Sequence, residues 1–247
     1  MRTPLIALAA LLLAAPALAA QDDWDVWDCE RYECEKIPTG GYVGGSLAAA
    51  RTQGEFSDYV RGGFGGDLHF IQKLDRDGWL ALRTDAGILV YGYESQRVPL
   101  SPTIGGRVLV DLTTSNNIAW FGVGPQIGVP NGRLQPYVNA FAGYSVLWTS
   151  SSVSDIGYDD DDAFTTNNFS DGSFSYGGGA GLYIPVRGGP SPVSVDLGVR
   201  YHNNGRAEYL REGDIEDNPD GSITLYPVRS DTDLLTFHVG FSIGIAR

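Results

Sequence analysis

Eight ionisable side chains stand among apolar and small neighbours: Asp67 and His69, Arg83 and Asp85, Asp196, Arg200 and His202, and His238. Within each group the spacing is two or four, so on an extended strand its members face one side. Three kinds of chemistry use such a set. Carboxylate, imidazole and guanidinium groups in one narrow space can neutralise each other as a buried network of ion pairs and hydrogen bonds. Two imidazoles, His202 and His238, expected at similar heights on neighbouring strands, can seed a metal centre, but no third ligand accompanies them. A His beside a Ser at a lipid interface can activate a nucleophile for acyl chemistry. The residue types favour the network, with Asp196 and Arg200 as expected partners. No catalytic, metal or cofactor role is assigned to any residue.

Three further groups carry possible chemistry. Cys29 and Cys34 form a short disulfide loop if the compartment is oxidising, worth roughly 2 kcal/mol locally by the chain-entropy model. The run Asp159-Asp160-Asp161-Asp162 attracts divalent cations or is simply solvated loop. Glu216-Asp217-Asn218-Pro219-Asp220-Gly221 has part of a calcium-loop pattern, but Pro227 stands where the bidentate Glu belongs, so it reads as a turn tip.

The elements that must position these residues are strands. Apolar residues alternate with polar ones over eight segments, approximately Gly41–Arg51, Val60–Lys73, Trp79–Tyr93, Asn117–Val129, Leu134–Ser150, Ser173–Val186, Val193–Tyr209 and Asp233–Ala246. The last is the clearest: Leu235, Phe237, Val239, Phe241, Ile243 and Ile245 alternate with Thr236, His238, Gly240, Ser242 and Gly244. Connections alternate in length. Leu74–Gly78, Pro130–Arg133 and Arg187–Pro192 are short and made of turn residues, whereas Thr52–Tyr59, Glu94–Asn116, Ser151–Gly172 and Leu210–Thr232 are longer. Within the second long connection, Arg107–Leu112 also reads as strand. Each segment exceeds the roughly 9–11 residues that a tilted strand needs to cross a bilayer.

Ahead of the strands, Arg2, the apolar run Leu5–Ala15 and the small residues of Ala17-Leu18-Ala19 form a secretory signal peptide. The expected organisation is therefore a signal peptide over 1–20, an acidic segment with the cysteines over 21–40, and a barrel over 41–247. Loss of Arg2 with the leader takes the formal charge from −13 to −14, which excludes nucleic acid as a partner.

Alternation does not say which face points outward. The polar phase is Gly, Ser, Asn, Gln, Asp, Arg and His with almost no Lys or Glu, which suits a narrow interior better than a water-bathed surface. Tyr144, Trp148, Tyr176, Tyr201 and Phe237 in the apolar phase all fall near the long-connection end, as an interfacial aromatic girdle does. The fold expected is an all-β, eight-stranded antiparallel up-and-down transmembrane barrel.

The chain resembles the small eight-stranded outer-membrane barrels of the OmpX and opacity-protein kind over nearly all of its mature length. The most specific piece is His238-Val239-Gly240-Phe241-Ser242-Ile243-Gly244-Ile245, which resembles the signal read by the barrel-assembly machinery through His238, Gly240, Ile243 and Ile245. Such barrels usually end in an aromatic residue, and this one ends Ile245-Ala246-Arg247. The resemblance implies the bacterial outer membrane with both termini periplasmic. It implies contact with outer-membrane lipid and lipopolysaccharide, assembly by that machinery, and an envelope or extracellular protein partner. A non-enzymatic structural or surface-interaction role through the acidic loops is expected, ahead of a narrow solute channel or a lipid A-modifying enzyme.

Overall fold

A computed structural model describes residues 39–99, 109–155, 162–189, 191–211, 213–218 and 222–246. The expected leader, Cys29 and Cys34, Asp159 to Asp161, and Pro219-Asp220-Gly221 lie outside the described residues.

The strands are β1 (Thr39–Thr52), β2 (Gly62–Lys73), β3 (Leu80–Pro99), β4 (Leu109–Gly128), β5 (Gln135–Asp155), β6 (Asp162–Arg187), β7 (Val193–Asn204), β8 (Arg206–Tyr209), β9 (Ile215–Asp217), β10 (Ile223–Leu225), β11 (Val228–Asp231) and β12 (Leu234–Ala246). Strands β1 to β7 and β12 pair in sequence order, and β12 closes the barrel onto β1 through pairs such as Val43 with Ile243 and Leu47 with Val239. All pairings are antiparallel. A 3-10 turn, Gly54–Asp58, follows β1, while β8 with β11 and β9 with β10 make two small ribbons at the same end.

The three short connections gather at the other end. Each turns on a glycine in the left-handed region, Gly78 (φ 79°), Gly132 (φ 109°) and Gly189 (φ 99°), which a side chain would strain. In the first, the Asp75 carboxylate accepts the backbone N–H groups of Trp79 (3.0 Å) and Leu80 (2.9 Å), fixing where β3 begins.

The phase agrees with the sequence reading. On β12, Phe237, Val239, Phe241, Ile243 and Ile245 are exposed, while Thr236, His238 and Ser242 are buried. Leu68 is 68% exposed and Phe241 58%, against 2% for Arg83 and 0% for Asp196. An apolar belt outside and charges inside invert a soluble barrel and suit lipid. From Leu235 to Ile245 the outward run spans about 25 Å of bilayer at a tilt of about 40°.

Three boundaries differ from expectation. The stretches Glu94–Asn116 and Ser151–Gly172, expected as loops, are largely strand: β3 and β4 pair as far as Pro99 with Leu109, and β5 and β6 as far as Ser154 with Asp162. Both faces of this extension meet water, so its Ser and Thr show no apolar alternation; side chains bond across it instead, as between Thr114 and Ser151 (2.9 Å) and Ser115 and Ser150 (3.2 Å). The strand expected over Arg107–Leu112 is present from Leu109. The expected single segment Val193–Tyr209 breaks at Gly205, whose N–H turns to Phe174 O (3.0 Å). The inward phase flips there: Asn204 is buried before the break, Ala207 and Tyr209 after it. Lastly, β2 starts at Gly62, and Val60 is buried in the cap described below.

Candidate functional site

The lumen is filled at two levels. In its middle lies a charged layer built from six strands, β3 to β7 and β12. Arg83 on β3 donates through Nε to Asp85 Oδ1 (2.8 Å) and through Nη1 to Tyr183 OH (2.9 Å) and Gln126 Oε1 (3.2 Å). Arg200 reaches across from β7 and donates through Nη2 to the same Asp85 oxygen (2.9 Å). Asp196 accepts from Tyr137 OH (2.8 Å) and lies 3.6 Å from His238 Nε2 and 3.8 Å from Arg83 Nη2. Flat groups stack around these charges: Tyr137 on Tyr183 (centroids 4.5 Å apart), Arg83 over Tyr137 and Arg200 over Phe141, both at 5.5 Å.

Small residues on neighbouring strands make room for these groups. A Cβ on Gly44 would lie 2.3 Å from His69 Nε2, and one on Gly87 would lie 2.1 Å from Trp120 Cζ2. The glycines of the polar phase are therefore the space into which large lumen side chains fold.

At the long-connection end the filling is apolar. Phe56, from the 3-10 turn, is fully buried and meets Tyr91 and Tyr209 edge-on at 5.9 and 5.0 Å. Leu89, Ile118, Trp120, Leu147 and Leu234 continue this cluster down into the barrel. Tyr91 OH donates to Leu210 O (3.3 Å), Tyr209 OH bonds Ser230 Oγ (2.9 Å), and Thr52 Oγ1 donates to Val60 O. At the short-turn end a cavity of about 60 Å³ leads inward past Lys73, Trp79, Gln126, Tyr137, Tyr183 and Ser242.

All eight sequence candidates point into the lumen, but not with the expected partners. Arg200 bonds Asp85 rather than Asp196. His202 and His238 are not level: His202 stands opposite Leu234 and His238 opposite Gly198, four positions apart, because the register of β7 against β12 offsets them. His202 packs between Trp120 (5.4 Å) and Phe141 (4.9 Å) and stands apart from the ion pairs. Asp67 and His69 face each other on β2 at 4.0 Å. The sequence reading missed Tyr137, Tyr183, Gln126 and Phe141 as members of the layer. Tyr137 and Phe141 share the phase of Asn139, Gly143 and Ser145, so period two alone would have found them. The remaining assembly-signal positions alternate as expected, with Gly240 buried and Ile243 and Ile245 on the outer face.

Among curated proteins none matches this sequence significantly. Of solved structures, the chain is similar to neisserial surface protein A (15% identity, TM-score 0.44, covering 83% of this chain and 96% of that one). It is similar to Ail, the attachment invasion locus protein of Yersinia pestis (15%, 0.44, 83% and 97%), and to a major outer membrane protein from Thermus thermophilus (14%, 0.41, 83% and 99%). The model of the outer membrane protein beta-barrel domain matches residues 5–242. The chain belongs to that family, and its barrel is one of the bacterial outer membrane.

Proposed function

We propose that this is a non-enzymatic barrel whose long-connection end faces outward and binds an extracellular or envelope protein. The observation that carries the reading is the external sheet. Strands β3 to β6 run on past the aromatic girdle, and β3 from Gly92 to Pro99 adds about 25 Å of strand. No described strand pairs with β3 beyond Val90 on its β2 side, so that edge offers backbone N–H and C=O groups to an extended segment of a partner. Around it the outer end is acidic: Glu55, Asp58, Glu94, Asp111, Asp171, Glu208, Asp214, Glu216, Asp231 and Asp233 outnumber Arg61, Arg97, Arg206, Arg211 and Arg229. A basic partner segment suits that charge.

The lumen supports the same reading. The aromatic cap and the charged layer both lie across the path a solute would take, which argues against a channel. All three histidines face inward, so an acyl-transfer pair at the lipid surface lacks its base. Lipopolysaccharide around the girdle and the assembly machinery at the β12 signal are the further partners we propose.

Photo-cross-linking from Ser95 on β3 in intact cells tests the proposal. A discrete protein adduct is expected. Replacing 94–116 by a two-residue turn that leaves the barrel folded removes the probe site as well, so the probe is then carried at Phe64, where no adduct should form. Absence of any adduct, or an adduct that survives the truncation with the probe moved to Phe64, overturns it.

A further inference from the structure

Among the described residues, a group of buried atoms without hydrogen-bond partners lies beside the charged layer on β1 and β2, next to Asp85 of β3. Asp67, His69 and Asp85 turn one ligand atom each into a common space, all within 4.8 Å of one another. His69 stands directly across from Asp85, and Asp67 is two positions along on the same face. The facing atoms Asp67 Oδ1 and His69 Nδ1 are 4.0 Å apart, too far for a hydrogen bond. Both are buried without a partner among the described residues, their side chains being 8% and 0% exposed. Ser46 Oγ, across from Asp67 on β1, is another such atom.

The other side of the imidazole decides what kind of group is missing. His69 Nε2 lies 3.4 Å from Ser242 Oγ and 4.0 Å from Asp196 Oδ2, itself without a hydrogen-bond partner. Carboxylates lie 4.0 Å from both ring nitrogens, but only Nε2 has a hydroxyl within hydrogen-bond reach; with the proton on Nε2 towards Ser242, the Nδ1 lone pair is aimed at the lone pairs of Asp67. Two acceptors facing each other in a dry interior need a proton or a metal ion between them. The charge balance leaves room for a cation, since Asp67, Asp85 and Asp196 outnumber Arg83 and Arg200 by one. Arg83 and Arg200 share Asp85 Oδ1, which leaves the second oxygen of Asp85 for an ion.

We propose that the barrel binds a divalent transition-metal ion of the zinc class in its lumen through Asp67, His69 and Asp85. One imidazole nitrogen and two carboxylate oxygens are a ligand set such ions accept, with a further position for water or Ser46. The two arginines beside Asp85 repel a dication, so the affinity is lower than that of a structural zinc site. Entry is through the cavity of the short-turn mouth, whose lining includes Ser242, the residue against His69 Nε2. The aromatic cap closes the opposite route.

The test uses the mature chain refolded in detergent micelles, with Cys29→Ser and Cys34→Ser removing thiol ligands. Cobalt(II) is titrated while its visible ligand-field absorption is followed, and zinc is measured by competition. One equivalent is expected to bind. His69→Ala should weaken binding by more than the roughly 10–100-fold typical of outer-shell changes. His202→Gln, away from the site, should leave it as in the parent. Heat-modified gel mobility establishes that each variant is folded; should His69→Ala not fold, Asp67→Asn takes its place with the same expectation. No uptake by the parent, with nitrogen-15 shifts showing His69 doubly protonated, assigns the gap to a proton and overturns the proposal. Uptake unchanged by both substitutions places the metal on the acidic loops and overturns it equally.

Discussion

Replacing Asp85 by alanine removes the carboxylate that two buried guanidinium groups share. Asp85, Arg83 and Arg200 are 3%, 2% and 5% exposed, and the bonds to the shared oxygen are 2.8 and 2.9 Å. At that distance, with an effective dielectric of about 20, each attraction is worth about 6 kcal/mol gross, and most of it offsets desolvation. Breaking such a group by deleting one partner costs about 3–5 kcal/mol, because the remaining charge stays buried. Asp85→Ala should fall at the upper end, since two cations are left with Asp196 as the nearest carboxylate, 3.8 Å from Arg83 and not bonded to Arg200. Arg200→Ala should cost less, because Asp85 keeps Arg83. The double variant should recover about 1–3 kcal/mol relative to the sum of the singles. Asp196→Ala with Arg200→Ala, which share no bond, should come closer to additivity. Urea titrations of the refolded barrel in micelles, followed by tryptophan fluorescence and gel mobility, give the four free energies. Additive losses for Asp85 with Arg200, or an Asp85→Ala variant as stable as the parent, would refute a coupled ionic layer.

Three other outcomes follow from the same geometry. Phe241→Arg should cost about 2–4 kcal/mol by placing a cation in the lipid belt, whereas Ser242→Arg should fail through overfilling beside His69; equal stability of Phe241→Arg and parent would invert the assigned faces. Phe56→Ala should cost about 3–5 kcal/mol if the cap unfolds together with the barrel, and should leave planar-bilayer conductance at baseline because the charged layer still closes the lumen; a new conductance would show that the cap alone is the seal. The N–H of Leu80, helped by that of Trp79, holds the exposed Asp75 carboxyl below its ordinary 3.8, so the first short turn is fully supported above about pH 4 and loses that support as pH falls through the lower folded value; Asp75→Asn should flatten this acid limb in hydrogen exchange of Trp79 and Leu80, and an unchanged limb would exclude the carboxylate as its cause.

The barrel was legible wherever one face meets lipid and the other a packed lumen, because burial then writes period two into the residues. Strand β12 shows this from Leu235 to Ile245, and the three short turns announce themselves through Gly78, Gly132 and Gly189. Legibility ends where the two faces meet similar surroundings. The external extension of β3 to β6 is wetted on both sides, and Ser150-Ser151-Ser152 carries no sign of which neighbour it faces. It also ends where alternation continues through a bend: Val199, Tyr201, Ala207 and Tyr209 share one parity, yet the first two lean towards lipid and the last two are buried under Phe56.

Partners within the charged layer were beyond the sequence for a geometric reason. Asp196 and Arg200 share a strand and a face, which invites pairing them, but four residues of strand separate their Cα atoms by about 13 Å. Cross-strand rules do not supply the answer either, since β3 and β7 are not neighbours in the sheet. Closure of the barrel brings Asp85 within reach of Arg200 across the lumen, and the shear of the whole cylinder sets which residues share a level. An arginine long enough to span that width then finds the nearest carboxylate on the far wall. The bond ties opposite walls together, so its strength belongs to the closed barrel and should be absent from any assembly intermediate in which β12 has not yet met β1. A double-variant coupling for Asp85 and Arg200 measured during folding should therefore appear only after closure, when Val43 is level with Ile243. Coupling detected before that step would mean that β3 and β7 are already opposed in an open sheet, and the tie would have to be reassigned to local packing.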